Sequence, residues 1–518
     1  MHPKILLAFL ALAAPLSAAV KLASPFTDHM VLQREMKVPV WGTADAGEQV
    51  AVEFAGQKKT ATAGADGQWR VTLDPLTASA ESRDFVVSGT NRESKIENQK
   101  LSDVLVGEVW LASGQSNMAF PVSKARASYA GLLNEEQEIA AANFPLLRMF
   151  TAASVKSYEL KTTVGGEWLV CSPQTVPNFS AMGYLFGRDL HQALHVPVGI
   201  VTVAYGASCA EAWISREALA ADPQLKFMLD SLDECVKFFR TPAAERTGAA
   251  PIRPTPINKP RTPNPRLTDP AQDQHFATVL FNGMLNPVIP FAIRGAIWYQ
   301  GESICWGTRG LDLYGHVQQA MIRDWRARWG EGDFPFYLVQ LPGQENISNN
   351  PRIREEQAAV LALPHTGMAV AIDTGEAKNV HPHNKEPTAD RLARLALADV
   401  YGRKIEARSP MFAALKIEGA NARVQFSHAA AGLAAKGGGA LKGFQVAGAD
   451  QKFVDADARV DGDSVVVSSA QVPQPVAVRY AWCDYPEGVG CNLVSGDLPA
   501  APFRTDKWNY PIEGLVEH

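Results

Sequence analysis

From residue 20 to about 102, short runs alternate apolar and polar positions: Val38 to Trp41, Val50 to Phe54 and Trp69 to Leu73, divided by turn signals such as Asp66-Gly67. A period of two over four to six residues predicts half-buried strands, and several in succession predict a β-sandwich-type module at 20–102. From residue 103 the pattern changes. Near-continuous apolar runs, including VLVGEVWLA, PVGIVTVAY, AIRGAIWY, FPFYLVQL and GMAVAI, alternate with helical stretches at 180–194, 316–329, 353–363 and 384–400. In the first of these, Met182, Phe186, Leu190 and Leu194 recur every fourth residue, as one buried helical stripe requires. Strand–helix alternation predicts an α/β domain over 103–405, its parallel sheet covered on both faces. From 406 to 518 short strands return, with ARVQF, DSVVVSS and VAVRYAW among them, so a second β-rich module is expected.

Two stretches depart from this plan. Between Pro242 and Pro270 lie eight prolines, which forbid helix and central strand alike, so 240–275 is expected to be an extended excursion from the α/β domain. At the start, Lys4 precedes the apolar run Ile5 to Ala14, followed by Pro15 and the small residues Ser17, Ala18 and Ala19. That order predicts a secretory signal over residues 1–19 and an exported protein, periplasmic or extracellular, or lysosomal in a eukaryote. No later run reaches the length needed to span a membrane.

The 518 residues are 46% hydrophobic and 20% charged with a formal charge of −5, which gives no reason to expect a nucleic-acid partner. Export permits disulfides. Cys483 and Cys491 bracket the loop CDYPEGVGC and are a candidate pair; Cys171, Cys209, Cys235 and Cys305 read as buried thiols or one further bridge. No group of residues has metal-ligand spacing and no glycine loop would cradle phosphate, so neither metal nor nucleotide cofactor is expected.

Four strands each end in a short polar loop. Gly114-Gln115-Ser116-Asn117-Met118 places a serine on a tight turn after the first, where ligands bind in α/β folds, although an ordinary helix N-cap is the plainer reading. Tyr205-Gly206-Ala207-Ser208 offers a backbone N–H at Gly206. Trp298-Tyr299-Gln300-Gly301-Glu302-Ser303 offers the Gln300 amide and a carboxylate at Glu302. Val380-His381-Pro382-His383-Asn384-Lys385 carries an imidazole suited to general-base work, with His383 as a rival. A parallel sheet brings such loops to one edge, where together they supply a nucleophile, a base and oxyanion donors.

These motifs resemble the sialate O-acetylesterase family of SGNH-type hydrolases. The resemblance runs from Asp28-His29-Met30 through Gly107 to Ser113, GQSNM, Phe179 to Tyr184, Glu211-Ala212-Trp213, Asn282-Gly283-Met284 and WYQGES to Val380-His381-Pro382 and Arg391-Leu392. It implies an SGNH-like parallel sheet flanked by helices and a serine esterase acting on an acetylated sugar or glycan through an acetyl-enzyme. Ser116 would be the nucleophile and His381 the base, with Ser116, Gly206 and Gln300 as the oxyanion hole. Gln115, Asn117, Glu302 and Arg354 are candidate substrate contacts, Arg354 as a clamp for a sialic acid carboxylate. Where the family pattern carries an acid three residues before the histidine, this chain has Lys378. Asp373 and Glu376 are the candidate replacements, or the pair works as a dyad. Acetylxylan or another glycan is the alternative substrate, and a non-catalytic carbohydrate-binding protein the alternative class.

Overall fold

The computed structural model describes residues 20–90, 96–248, 251, 253–257, 269–345 and 349–509. The expected signal at 1–19 lies outside them, as does part of the proline-rich excursion. Where described, the excursion is neither helix nor strand over 253–257 and is tied down by Arg253 to Asp273 (2.5 Å) and by the Ile257 N–H to the Ile304 carbonyl (2.8 Å). Among the described residues no helix is long and apolar enough to cross a membrane.

The α/β region is built on seven strands, numbered β1 to β7 in chain order: Ile96–Gly114, Phe144–Thr151, Trp168–Cys171, Val198–Ala204, Gly295–Tyr299, Phe336–Gln340 and Thr366–Val370. They lie in the order β3-β2-β4-β1-β5-β6-β7, all parallel except β3, which runs antiparallel at the edge. Every residue of β5 and β6 is buried, which is why these strands read as unbroken apolar runs. Helices cover both faces. Trp110 of β1 meets Phe186 of the helix Ala181–Leu194, while Trp298 of β5 meets Trp325 of the helix Tyr314–Trp329 on the other side. The expected stretch at 353–363 is a helix over Asn350–Ala358 continued as a 3₁₀ turn over Ala359–Ala362; that at 384–400 is Glu386–Asp399. β1 is the hinge of the topology. The chain places β4 on one side of it and β5 on the other, so the loops after β4 and β1 open a crevice at their carboxyl ends.

β1 is also long enough to serve a second sheet. Its first half pairs antiparallel with Ser79–Thr90 and parallel with Val31–Gln33, so residues 102 and 103 lie within one continuous strand. At the junction the buried Glu108 accepts from Gln33, Arg34 and Arg294, which compensates a carboxylate removed from water. The C-terminal region holds two four-stranded antiparallel sheets and one of three strands.

The cysteine pairing differs from expectation. Cys209 and Cys305 are bonded, linking the loops after β4 and β5, whereas Cys483 and Cys491 are free thiols in contact with one another. The loop between them is closed by other means: a helical turn at Pro486–Val489, the Cys491 N–H to the Pro486 carbonyl (3.0 Å), and Arg354 on the carbonyls of Cys483 and Asp484.

Candidate active site

The end of β1 is set by a close approach. Gly114 lies at φ +140°, and a Cβ there would sit 2.1 Å from the Tyr299 carbonyl oxygen of β5, so no other residue fits. The Gln115 N–H bonds to that same carbonyl (2.9 Å) and a short helix, Ser116–Ala119, begins at once. Gln115, Asn117 and Met118 are buried; Ser116 alone of the four reaches the crevice.

The Ser116 hydroxyl lies 2.8 Å from His381 Nε2. The loop carrying His381 is shaped by Asn379, whose Oδ1 accepts from the His381 N–H (3.0 Å) and whose amide donates to the His381 carbonyl (2.8 Å). Tyr129 lies against the imidazole with ring centroids 4.6 Å apart. Burial, reinforced by the charges of Lys385 and His383, pushes the His381 imidazole down to about 4, so it is a neutral base through the ordinary pH range. Gly206, after β4, faces the serine: a Cβ on it would lie 3.7 Å from that of Ser116. Among the described residues, the backbone N–H groups of Ser116 and Gly206 bond to no acceptor. A hydroxyl, a neutral imidazole and two uncommitted N–H donors therefore meet where the parallel strands end, a set suited to acyl transfer.

Several sequence expectations take other positions. Asp373 does not approach His381; both its oxygens are held by Arg391 at 2.7 and 2.9 Å, with Lys436 at 3.1 Å, and these cations hold its carboxyl low against the effect of burial. Glu376 turns to the rival histidine, accepting from the His383 N–H (2.6 Å) and ring (2.9 Å). Among the described residues no carboxylate bonds to the His381 ring, whose Nε2 faces the Ser116 hydroxyl. Gln300 is fully buried: its Nε2 donates to the carbonyls of Ser208 (3.0 Å) and Ser303 (2.8 Å) and to Gln115 Oε1 (3.2 Å), and its Oε1 accepts from Tyr314. Both amide protons are spent inside the protein, so Gln300 offers nothing to an oxyanion. Gln115 and Asn117 are likewise buried, their side-chain amides bonded within the protein. Arg354 has no exposed surface and donates to the carbonyls of Leu341, Pro342, Cys483 and Asp484, which makes it an internal brace and not a clamp.

Glu302 does border open space. With Leu341, Ile353, Asn379 and Val380 it lines a cavity adjoining the histidine loop. Two lysines contact residues that flank the serine and Gly206. Lys385 is buried under the serine turn, and the Lys156 ammonium donates to the hydroxyl of Tyr205 (2.7 Å), the residue before Gly206. Lys385 follows His381 by four residues, yet nothing in that spacing signals burial. The one grouping with ligand spacing for a metal among the described residues, Cys209, Glu211 and Cys305, has both sulfurs in the disulfide.

Residues 278–401 match the family model described as carbohydrate esterase, sialic acid-specific acetylesterase. Sialate O-acetylesterase of Mus musculus is 29% identical over 93% of this chain and 94% of its own length, and that of Homo sapiens is 29% identical over 74% and 72%. The crystal structure of a carbohydrate acetylesterase from Xanthomonas citri is 34% identical, with a TM-score of 0.78 over 94% of this chain and all of that one. The chain belongs to this sialic acid-specific acetylesterase family of carbohydrate esterases and is a carboxylic ester hydrolase.

Proposed function

We propose that this chain removes O-acetyl groups from sugars through an acetyl-enzyme on Ser116, with His381 as general base. The observation that carries the reading is the 2.8 Å contact between the Ser116 hydroxyl and His381 Nε2. His381 takes the hydroxyl proton as the oxygen attacks the acetyl carbonyl; the N–H groups of Ser116 and Gly206 meet the charge that develops on the carbonyl oxygen. The imidazolium returns its proton to the departing sugar hydroxyl. A water, deprotonated by the same imidazole, then releases acetate. No carboxylate is needed to set the ring, because Asn379 and Tyr129 hold its loop and face. Membership of an esterase family sets aside the non-catalytic reading.

The proposed substrate is O-acetylated sialic acid, with acetylated xylan or another glycan as the alternative. The relatives' activity supports the first, and so does Lys156, whose ammonium donates to Tyr205, the neighbour of Gly206, and pairs with no carboxylate among the described residues. Export by the N-terminal segment is part of the same proposal. Acetate release from O-acetylated sialic acid and from acetylated xylan, measured with the wild type, Ser116→Ala and His381→Ala, tests both layers. Turnover of a small acetyl ester that survives Ser116→Ala removes the nucleophile assignment; release from xylan alone replaces the substrate.

A further inference from the structure

Lys385 occupies a place that two separate effects disfavour. The residue is 1% exposed, and it is the one at which the helix Glu386–Asp399 begins. Burial penalises an ammonium, and the N-terminal end of a helix carries the positive pole of its dipole and prefers Ser, Thr, Asp or Asn at the cap. Neither burial nor the helix terminus by itself favours lysine here.

Its surroundings account for it. The ammonium lies 4.6 Å from the centroid of Phe120 and 5.2 Å from that of Tyr299, and donates to Oδ1 of Asn117, the residue after the serine. At its other end the Asn117 amide donates to Glu302 and, at 2.9 Å, to the carbonyl of Val380, the residue before His381. A cation at the oxygen end and a carboxylate at the nitrogen end leave the amide only one orientation, and in that orientation it grips the histidine loop. If the amide flips, the Val380 carbonyl faces an oxygen and the grip is lost.

We propose that Lys385 is a positioning residue for the esterase reaction, acting through Asn117 to hold the Val380–His381 backbone against the Ser116 turn. The proposal rests on the Ser116–His381 reading. A second consequence follows from charge. The groups facing His381 are Ser116 from the serine turn, Tyr129 from the 121–134 loop, and His383 and Lys385 from its own loop; Lys385 itself faces Asn117, Glu302 and Glu376. Burial moves the Lys385 amine down to about 7, so it is charged throughout the acid range in which His381 titrates, and it opposes the protonation of the imidazole there.

The test uses the full chain with Lys385→Met and Lys385→Gln, a small acetyl ester, a pH profile of kcat/KM and a thermal melt. Lys385→Met is expected to lower kcat on the order of 10²-fold, as a displacement of a reacting group by about 1 Å does, with KM within about 2-fold. The acid limb of its profile moves to higher pH, because one cation facing His381 is gone. Lys385→Gln keeps a donor to Asn117 without the charge: it retains more of kcat and shows the same displaced limb. If Lys385→Met does not fold, Lys385→Gln decides alone. Wild-type kcat in either folded variant overturns the proposal, as does a fall in kcat that follows the melt with the acid limb unmoved. Ser116→Ala and His381→Ala run in parallel separate this failure from that of the underlying reading: turnover surviving in them sinks the dyad, whereas their loss beside an active Lys385→Met sinks only the lysine.

Discussion

The side-chain amide of Asn117 donates a 2.9 Å hydrogen bond to the carbonyl of Val380, so the residue after the serine holds the residue before the histidine. These two loops come from strands on different parts of the sheet, and their separation sets the 2.8 Å contact between hydroxyl and imidazole. Asn117→Ala is expected to lower kcat by about 10- to 100-fold with KM little changed. Steady-state kinetics on a small acetyl ester check this; a pure rise in KM would mean that Asn117 touches substrate after all.

Gln300 is a structural residue. Its removal leaves the buried carbonyls of Ser208 and Ser303 without their donor, while Gln115 Oε1 keeps the Ser303 N–H and the Tyr314 hydroxyl keeps the backbone carbonyl of residue 300. Gln300→Ala should therefore cost about 3 kcal/mol or more in a denaturant melt. The rate per folded molecule should stay within about 10-fold. A loss on the order of 10² to 10³ at unchanged stability is the signature of an oxyanion donor instead and would return Gln300 to the reacting centre.

Glu211 makes stability depend on pH. Burial raises its carboxyl to about 7, with Trp306 Nε1 as a donor to it at 3.0 Å. The folded chain thus holds a proton that the unfolded chain, titrating at about 4.3, has released. Its contribution is fully present below that lower value and is lost as pH rises through about 7. Glu211→Gln stays neutral and keeps the acceptor for Trp306. The difference in melting temperature between variant and wild type should be small at pH 5 and should grow in the variant's favour by pH 8. A constant difference across that range refutes the buried-acid assignment.

Lys156 carries the expectation for substrate charge. An ammonium placed by Tyr205 and unpaired with any carboxylate among the described residues would attract an anionic sugar, as the proposed substrate requires. Lys156→Met should raise KM for O-acetylated sialic acid about 10-fold, the scale of one charge-assisted hydrogen bond, while leaving KM for a neutral acetylated sugar unchanged. Equal effects on both substrates would exclude recognition of the carboxylate by this lysine.

What the sequence determined by itself is what short-range chemistry specifies. Unbroken apolar runs mark strands buried on both faces, a four-residue repeat marks the helix Ala181–Leu194, and a glycine before Ser116 marks a turn too tight for a side chain. From these the parallel sheet and the meeting of Ser116 with His381 at its edge could be anticipated, because loops after parallel strands share one end of the sheet. The partners of individual polar side chains were decided only by tertiary structure. Asp373 and Glu376 lie close to His381 in sequence, yet Arg391 and His383 bind them; Gln300 and Arg354 end on buried carbonyls; Cys209 finds Cys305 at a separation of 96 residues. The physical reason is range. Backbone geometry follows from a few neighbouring residues, whereas a buried hydrogen-bonding group takes whichever partner the assembled core presents, and leaving it without one costs more than any local preference can offset.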